Sequence, residues 1–195
     1  MNIQRQLRLS YGVLLVLTGL AASILPVNAD NLDAWGAATN GVRAGLWYRT
    51  VTNGASIGII PELKYGDTTN KPSKSVVLFL PPERSRYKMT LFDEHGMPVF
   101  KTKAGKALGV PIEPKPHTIN WEHGYVDFDL KRGYAEPTGD GPLLLSNYFQ
   151  ITNSGRYRLE LQIGIVWSVP LMQRDAVPQF LFLPPVDAEI NIKMK

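Results

Sequence analysis

From Tyr157 to Trp167 every second residue is apolar. Tyr157, Leu159, Leu161, Ile163, Ile165 and Trp167 share one parity, while Arg156, Arg158, Glu160, Gln162 and Gly164 occupy the other. A period of two held over this length predicts a strand with one face in a core and one in water, because successive side chains of an extended chain point to opposite sides. Asn153-Ser154-Gly155 supplies the turn before it. Weaker alternation appears where Val42, Ala44 and Leu46 are separated by Arg43 and Gly45, where Tyr87, Met89 and Leu91 are separated by Lys88 and Thr90, and where Val126, Phe128 and Leu130 are separated by Asp127 and Asp129. Residues 75–80 are almost continuously apolar, the pattern of a strand covered on both sides. Asp93-Glu94-His95-Gly96 predicts a hairpin turn with residues 97–101 as its return. Residues 118–122, 143–151, 180–183 and 190–194 complete the expected strands.

The pentapeptide Leu-Phe-Leu-Pro-Pro occurs at Leu78 to Pro82 and again at Leu181 to Pro185. Neither proline can donate to a strand ladder, and each holds its predecessor in extended geometry. In both copies alternation resumes at the fifth residue after the second proline, at Tyr87 and at Ile190. The expected picture is strand, forced kink, strand, as where a chain crosses a sheet edge. The flanks differ, which favours a shared kink over a duplicated half-domain.

Glycine, proline, asparagine and aspartate cluster at residues 66–72, 105–116 and 133–142, and 15 prolines leave no amphipathic stretch of helical period beyond two turns. The expected fold is therefore all-β, an antiparallel sandwich of about seven to nine strands. Residues 1–29 are set apart. Arg5 and Arg8 precede an apolar run through Leu25, Pro26 breaks it, and Val27-Asn28-Ala29 offers small residues for cleavage, which together predict a signal peptide. The apolar run is shorter than the ~20 residues of a spanning helix; an uncleaved anchor is the alternative. No cysteine follows, which excludes a lipid-modified start. Residues 30–195 are then one domain, secreted or periplasmic, with no integral membrane span after cleavage. That domain carries 19 basic against 17 acidic residues, with no basic stripe for nucleic acid. The lack of cysteine removes disulfides, thiol catalysis and thiolate metal sites together.

Gly155-Arg156-Tyr157-Arg158-Leu159, preceded by residues 145–154, resembles the run into the penultimate strand of immunoglobulin-like and fibronectin-like domains. The resemblance implies that Tyr157 is a structural tyrosine-corner residue, its hydroxyl tied to backbone just upstream. Leu159 stands where antibody domains carry a cysteine, so the disulfide-free relatives are the better comparison. Residues 35–46, from Trp35-Gly36-Ala37 to Ala44-Gly45-Leu46, also resemble the opening of uncharacterised exported proteins of environmental bacteria.

Candidate chemistry is thin. Gly54-Ala55-Ser56-Ile57-Gly58 matches the nucleophile-elbow pattern, but Ile59-Ile60-Pro61 follows where that motif needs a helix, so a turn is the better reading. His117 and His123 lie ~20 Å apart on one extended strand and would not share an ion. Asp127, Asp129 and Asp140 lack the regular spacing of a calcium loop, and His95 sits in a turn. Among the aromatic residues Trp47, Tyr48, Trp121, Tyr125, Tyr134 and Trp167, core packing accounts for Trp47 and Trp167. Trp121 and Tyr125, flanking His123, form the candidate ligand-binding group. No catalytic residue, metal or cofactor is expected. The expected function is an exported, non-catalytic module for protein–protein interaction or envelope structure. A carbohydrate-binding module using exposed aromatic residues is the alternative, and a hydrolase the weakest reading.

Overall fold

The computed structural model describes residues 34–50, 57–66, 75–114, 126–139, 141–167 and 178–194. All of them belong to the second of two units into which the chain divides, Leu32–Lys195. Among the described residues eleven strands and three single-turn helices follow in order: β1 (Ala34–Trp35), β2 (Val42–Thr50), β3 (Ile57–Tyr65), β4 (Ser75–Leu80), α1 (Glu83–Arg86), β5 (Tyr87–Phe92), α2 (Lys103–Lys106), β6 (Val126–Lys131), β7 (Ala135–Pro137), β8 (Leu143–Leu144), α3 (Leu145–Tyr148), β9 (Gly155–Trp167), β10 (Gln179–Phe182) and β11 (Val186–Ile192). The fold is all-β, in two sheets whose named strands pair antiparallel. No helix among the described residues is long and apolar enough to cross a membrane.

The smaller sheet runs β1-β2-β3, with β7 and β8 pairing to β3. β3 departs from the sequence reading, which takes residues 54–58 as a turn: Ile57 and Gly58 open a nine-residue strand. Proline at its centre hides it. Yet Pro61 is tolerable, because its carbonyl faces Thr138, between the stretches of β3 paired to β8 and β7, and its missing N–H removes no bond to β2. The strand at residues 135–137 lies inside a cluster read as a connection, and residues 145–148 form a helical turn where strand is expected.

The larger sheet is built around β9. β5 and then β4 run along one edge of β9, and β11 and then β10 along the other. Both Leu-Phe-Leu-Pro-Pro copies therefore flank the same strand, the first breaking opposite Gly164 and Ile165 and the second opposite Gln162 and Ile163. On the first side Phe79 pairs with Val166 and Tyr87 with Ile163, so the chain between them leaves the ladder and winds into α1. On the second, Phe182 pairs with Gly164 and Val186 with Leu161, which accommodates one extra residue as a bulge. The same proline pair thus produces a helical turn in one copy and a bulge in the other.

The inward parity of β9 is as expected: Tyr157, Leu159, Leu161, Ile163 and Ile165 are buried in one cluster with Val42, Ala44, Leu46, Ile59 and Leu63 of the smaller sheet and Leu78, Leu80, Met89, Leu91, Val186, Ala188 and Ile190 of the larger. The outward parity is polar to Gln162 and apolar beyond: Val166 is fully buried, with Phe79 and Phe180 opposite it on its two neighbours. A buried polar chain joins the sheets. The Thr138 amide and hydroxyl both donate to the Pro61 carbonyl, at 3.0 and 3.1 Å. The Tyr87 hydroxyl lies 2.9 Å from Thr138 Oγ1, and Arg86 Nη1 donates to the Thr138 carbonyl at 2.7 Å. Every member is satisfied, the condition under which buried polar groups fix a packing arrangement instead of weakening it.

Gly164 sits inside the first break and is the last paired residue before the second. A Cβ there would lie 2.5 Å from the Ser85 carbonyl oxygen and 2.9 Å from the Phe180 ring. Gly164→Ala must push α1 away from β9 and is expected to cost about 1–3 kcal/mol, read as a lower urea midpoint at unchanged slope; an unchanged midpoint would contradict this packing.

Candidate functional site

At the end of the larger sheet where β9 begins, the hairpin turn after β5 meets β11. Asp93 builds that turn. Its Oδ1 accepts from the amides of His95 and Met97 at 2.9 and 2.8 Å, and its own amide donates to the Met97 carbonyl at 2.9 Å. Gly96 supplies the left-handed residue, at φ 76°. The return is shorter than the expected strand: Pro98 bridges to Phe92 and Lys101 to Phe149.

Behind the turn lies a cleft of about 330 Å³, lined by Asp93, Glu94, Gly96, Arg156, Tyr157, Arg158 and Glu189. The Tyr157 hydroxyl donates to the Asn153 carbonyl at 2.8 Å, so the tyrosine fastens the start of β9 to the preceding turn. Burial, then the charges of Asp93 and Glu94, raise its pKa from the ordinary 10.0, against the opposing effect of the bond to Asn153. Arg158 Nη1 donates to Glu160 at 2.9 Å and to Asp187 at 2.7 Å, and its guanidinium stacks 4.3 Å from the centre of the Phe92 ring. Two charged members of the cleft are therefore already engaged: Asp93 by backbone amides and Arg158 by two carboxylates. Glu94, Arg156 and Glu189 are left to face a ligand. This arrangement can recognise charge, and it brings no nucleophile against a base.

The predicted ligand-binding residues Trp121, His123 and Tyr125 lie outside the described residues, as do Ser56, His117 and Asp140. Of the elbow motif, Ile57 and Gly58 begin a strand and not a helix. Asp129 is exposed on the outward parity of β6, opposite Val77. His95 is exposed and 3.7 Å from Glu94. Tyr48 and Trp167 pack against the core, whereas Tyr134 is 64% exposed. Among the described residues no group of three or more His, Asp or Glu side chains is placed to hold a metal ion.

The sequence reading singles out Tyr157 in the cleft wall but not Glu94, Arg156 or Glu189. Their only signal is position, in the turns and outward parities around the tyrosine. Neither the protein-family models, the curated proteins nor the solved structures give a match to this chain.

Tyr157→Phe removes one hydrogen bond and is expected to cost about 1 kcal/mol at neutral pH. The raised pKa adds a second signature. A proton held more tightly in the folded state contributes stability that is complete below pH 10.0 and lost as pH rises through the folded value. The variant should therefore lose stability less steeply than the parent above that pH, measured by denaturant titration; parallel curves would show that Tyr157 is not perturbed.

Proposed function

We propose that the chain is an exported, non-catalytic module with an immunoglobulin-like β-sandwich fold, acting outside the cytoplasm by binding a protein partner. The sandwich reading is supported by one buried cluster drawn from both sheets and by the Tyr157 hydroxyl bond to Asn153. The export reading rests on the basic, apolar and small-residue pattern of residues 1–29.

One observation carries the partner-binding reading. Met97 is 63% exposed and Phe100 is 80% exposed, both on the return of the hairpin whose turn borders the charged cleft. Large apolar side chains held open on a well-formed turn beside exposed charges have the composition of an interface: an apolar anchor with a polar rim. The turn is held by Asp93, so these side chains are presented and not merely left over.

A photo-reactive residue at Phe100, in the full chain expressed in its own host, should crosslink to one discrete protein. Met97→Asp, which leaves the probe in place, should reduce that yield at least tenfold. The exported protein should begin at Asp30. A chain that crosslinks to nothing, or to the same protein at the same yield after Met97→Asp, would remove this function.

A further inference from the structure

The outward face of the smaller sheet carries an aromatic plate that the proposed interface does not use. Along one cross-strand row Trp35 pairs with Gly45 and Gly45 with Glu62, and in the next row Arg43 pairs with Lys64. These residues are on the face opposite Val42, Ala44, Leu46 and Leu63, which are in the core, and Trp35, Arg43, Glu62 and Lys64 are all partly exposed.

The indole lies flat. A Cβ added to Gly45 would meet Trp35 Cζ3, Cε3 and Cη2 at 2.5, 2.6 and 2.8 Å. Three ring atoms at nearly one distance place that point beneath the ring and not at its edge. One face of Trp35 therefore rests on Gly45, where only glycine fits, and the residue remains partly exposed. Two cations lie over the ring: the guanidinium carbon of Arg43, 5.0 Å from the ring centre, and Lys64 Nζ at 5.8 Å.

Glu62 and Lys64 are two residues apart on this face, yet neither enters an ion pair or a side-chain hydrogen bond among the described residues. Burial, and after it the charge of Glu136, raise the Glu62 pKa. Stability from such a group is present while it is protonated and lost as pH rises through the folded value, so at neutral pH the ionised Glu62 weakens the fold. A carboxylate kept against stability, beside a fixed aromatic plate, has the character of a binding group.

We infer that this face binds a saccharide, with the exposed part of Trp35 stacking on a sugar ring, Glu62 accepting hydroxyl hydrogen bonds and Lys64 donating them. A pyranose has C–H groups on its faces and hydroxyls around its rim. It needs a flat apolar surface ringed by both donors and acceptors, and this cluster supplies each. A nucleotide would also stack, and its phosphate would pair with Lys64, but it would leave Glu62 facing a like charge, whereas sugar hydroxyls can serve both groups.

The test is calorimetry on the whole chain with a panel of neutral, amino and uronic-acid oligosaccharides, and a single-stranded oligonucleotide as the competing class. At least one saccharide should bind, with Glu62→Gln and Lys64→Ala each weakening it about tenfold and Trp35→Ala abolishing it. Glu62→Gln should also raise the melting temperature at neutral pH, so its loss of binding cannot be a folding defect. Binding should be indifferent to Met97→Asp, which separates this site from the proposed protein interface. Failure of every saccharide to bind, binding unaffected by Glu62→Gln, or Trp35-dependent binding of the oligonucleotide alone would overturn the inference.

Discussion

Four strands of the larger sheet hydrogen-bond to one, and that strand must be long, straight and alternating for any of them to be placed. β9 meets these demands through its inward row of tyrosine, leucine and isoleucine, each aliphatic member contributing on the order of 1.5–3 kcal/mol by burial. With no cysteine in the chain, this row and its partners from both sheets hold the fold without covalent help. Strand pairing supplies direction and register. Side-chain burial supplies the free energy, since ladder hydrogen bonds largely exchange for bonds to water.

Local geometry follows from how each neighbour copes with β9. Two strands on each edge would run straight past Gly164 if the prolines did not stop them. Because they do, α1 closes over a glycine, and Arg86 and Tyr87, which end α1 and begin β5, are brought to Thr138. Thr138 in turn holds Pro61, the residue that would otherwise interrupt β3. A break in one sheet and a defect in the other are thus tied by a single buried threonine.

Much of this is legible in the sequence where the side-chain pattern is strict. The period of two finds β2, β5, β6 and β9, a continuous apolar run finds β4, and the paired prolines predict the interruption but not the helical turn that follows the first pair. It misses β3, although Ile57, Ile59, Leu63 and Tyr65 alternate with Gly58, Ile60, Glu62 and Lys64, because a central proline reads as a breaker unless the gap between β8 and β7 is known. The two fates of Leu-Phe-Leu-Pro-Pro are equally hidden. They depend on what packs over Gly164, a relation that for Ser85 spans 79 residues. The surface chemistry is the least legible: Trp35 reads as one aromatic residue in an opening motif, and only strand pairing lays it on Gly45 beside Glu62 and Lys64. Glu94, Arg156 and Glu189 likewise come from three separate elements.

The position of β9 in the chain has a consequence of its own. A polypeptide emerges from the ribosome N-terminus first, and β4 and β5 appear some eighty residues before the strand that separates β11 and β10 from them. Until β9 is synthesised β5 has no strand to pair with and β4 has β6 alone, and the long loops to β9 must close before the larger sheet is complete. The larger sheet is therefore completed late in synthesis, after β2 and β3 can already have paired, and its closure waits on a strand that lies in the last quarter of the chain.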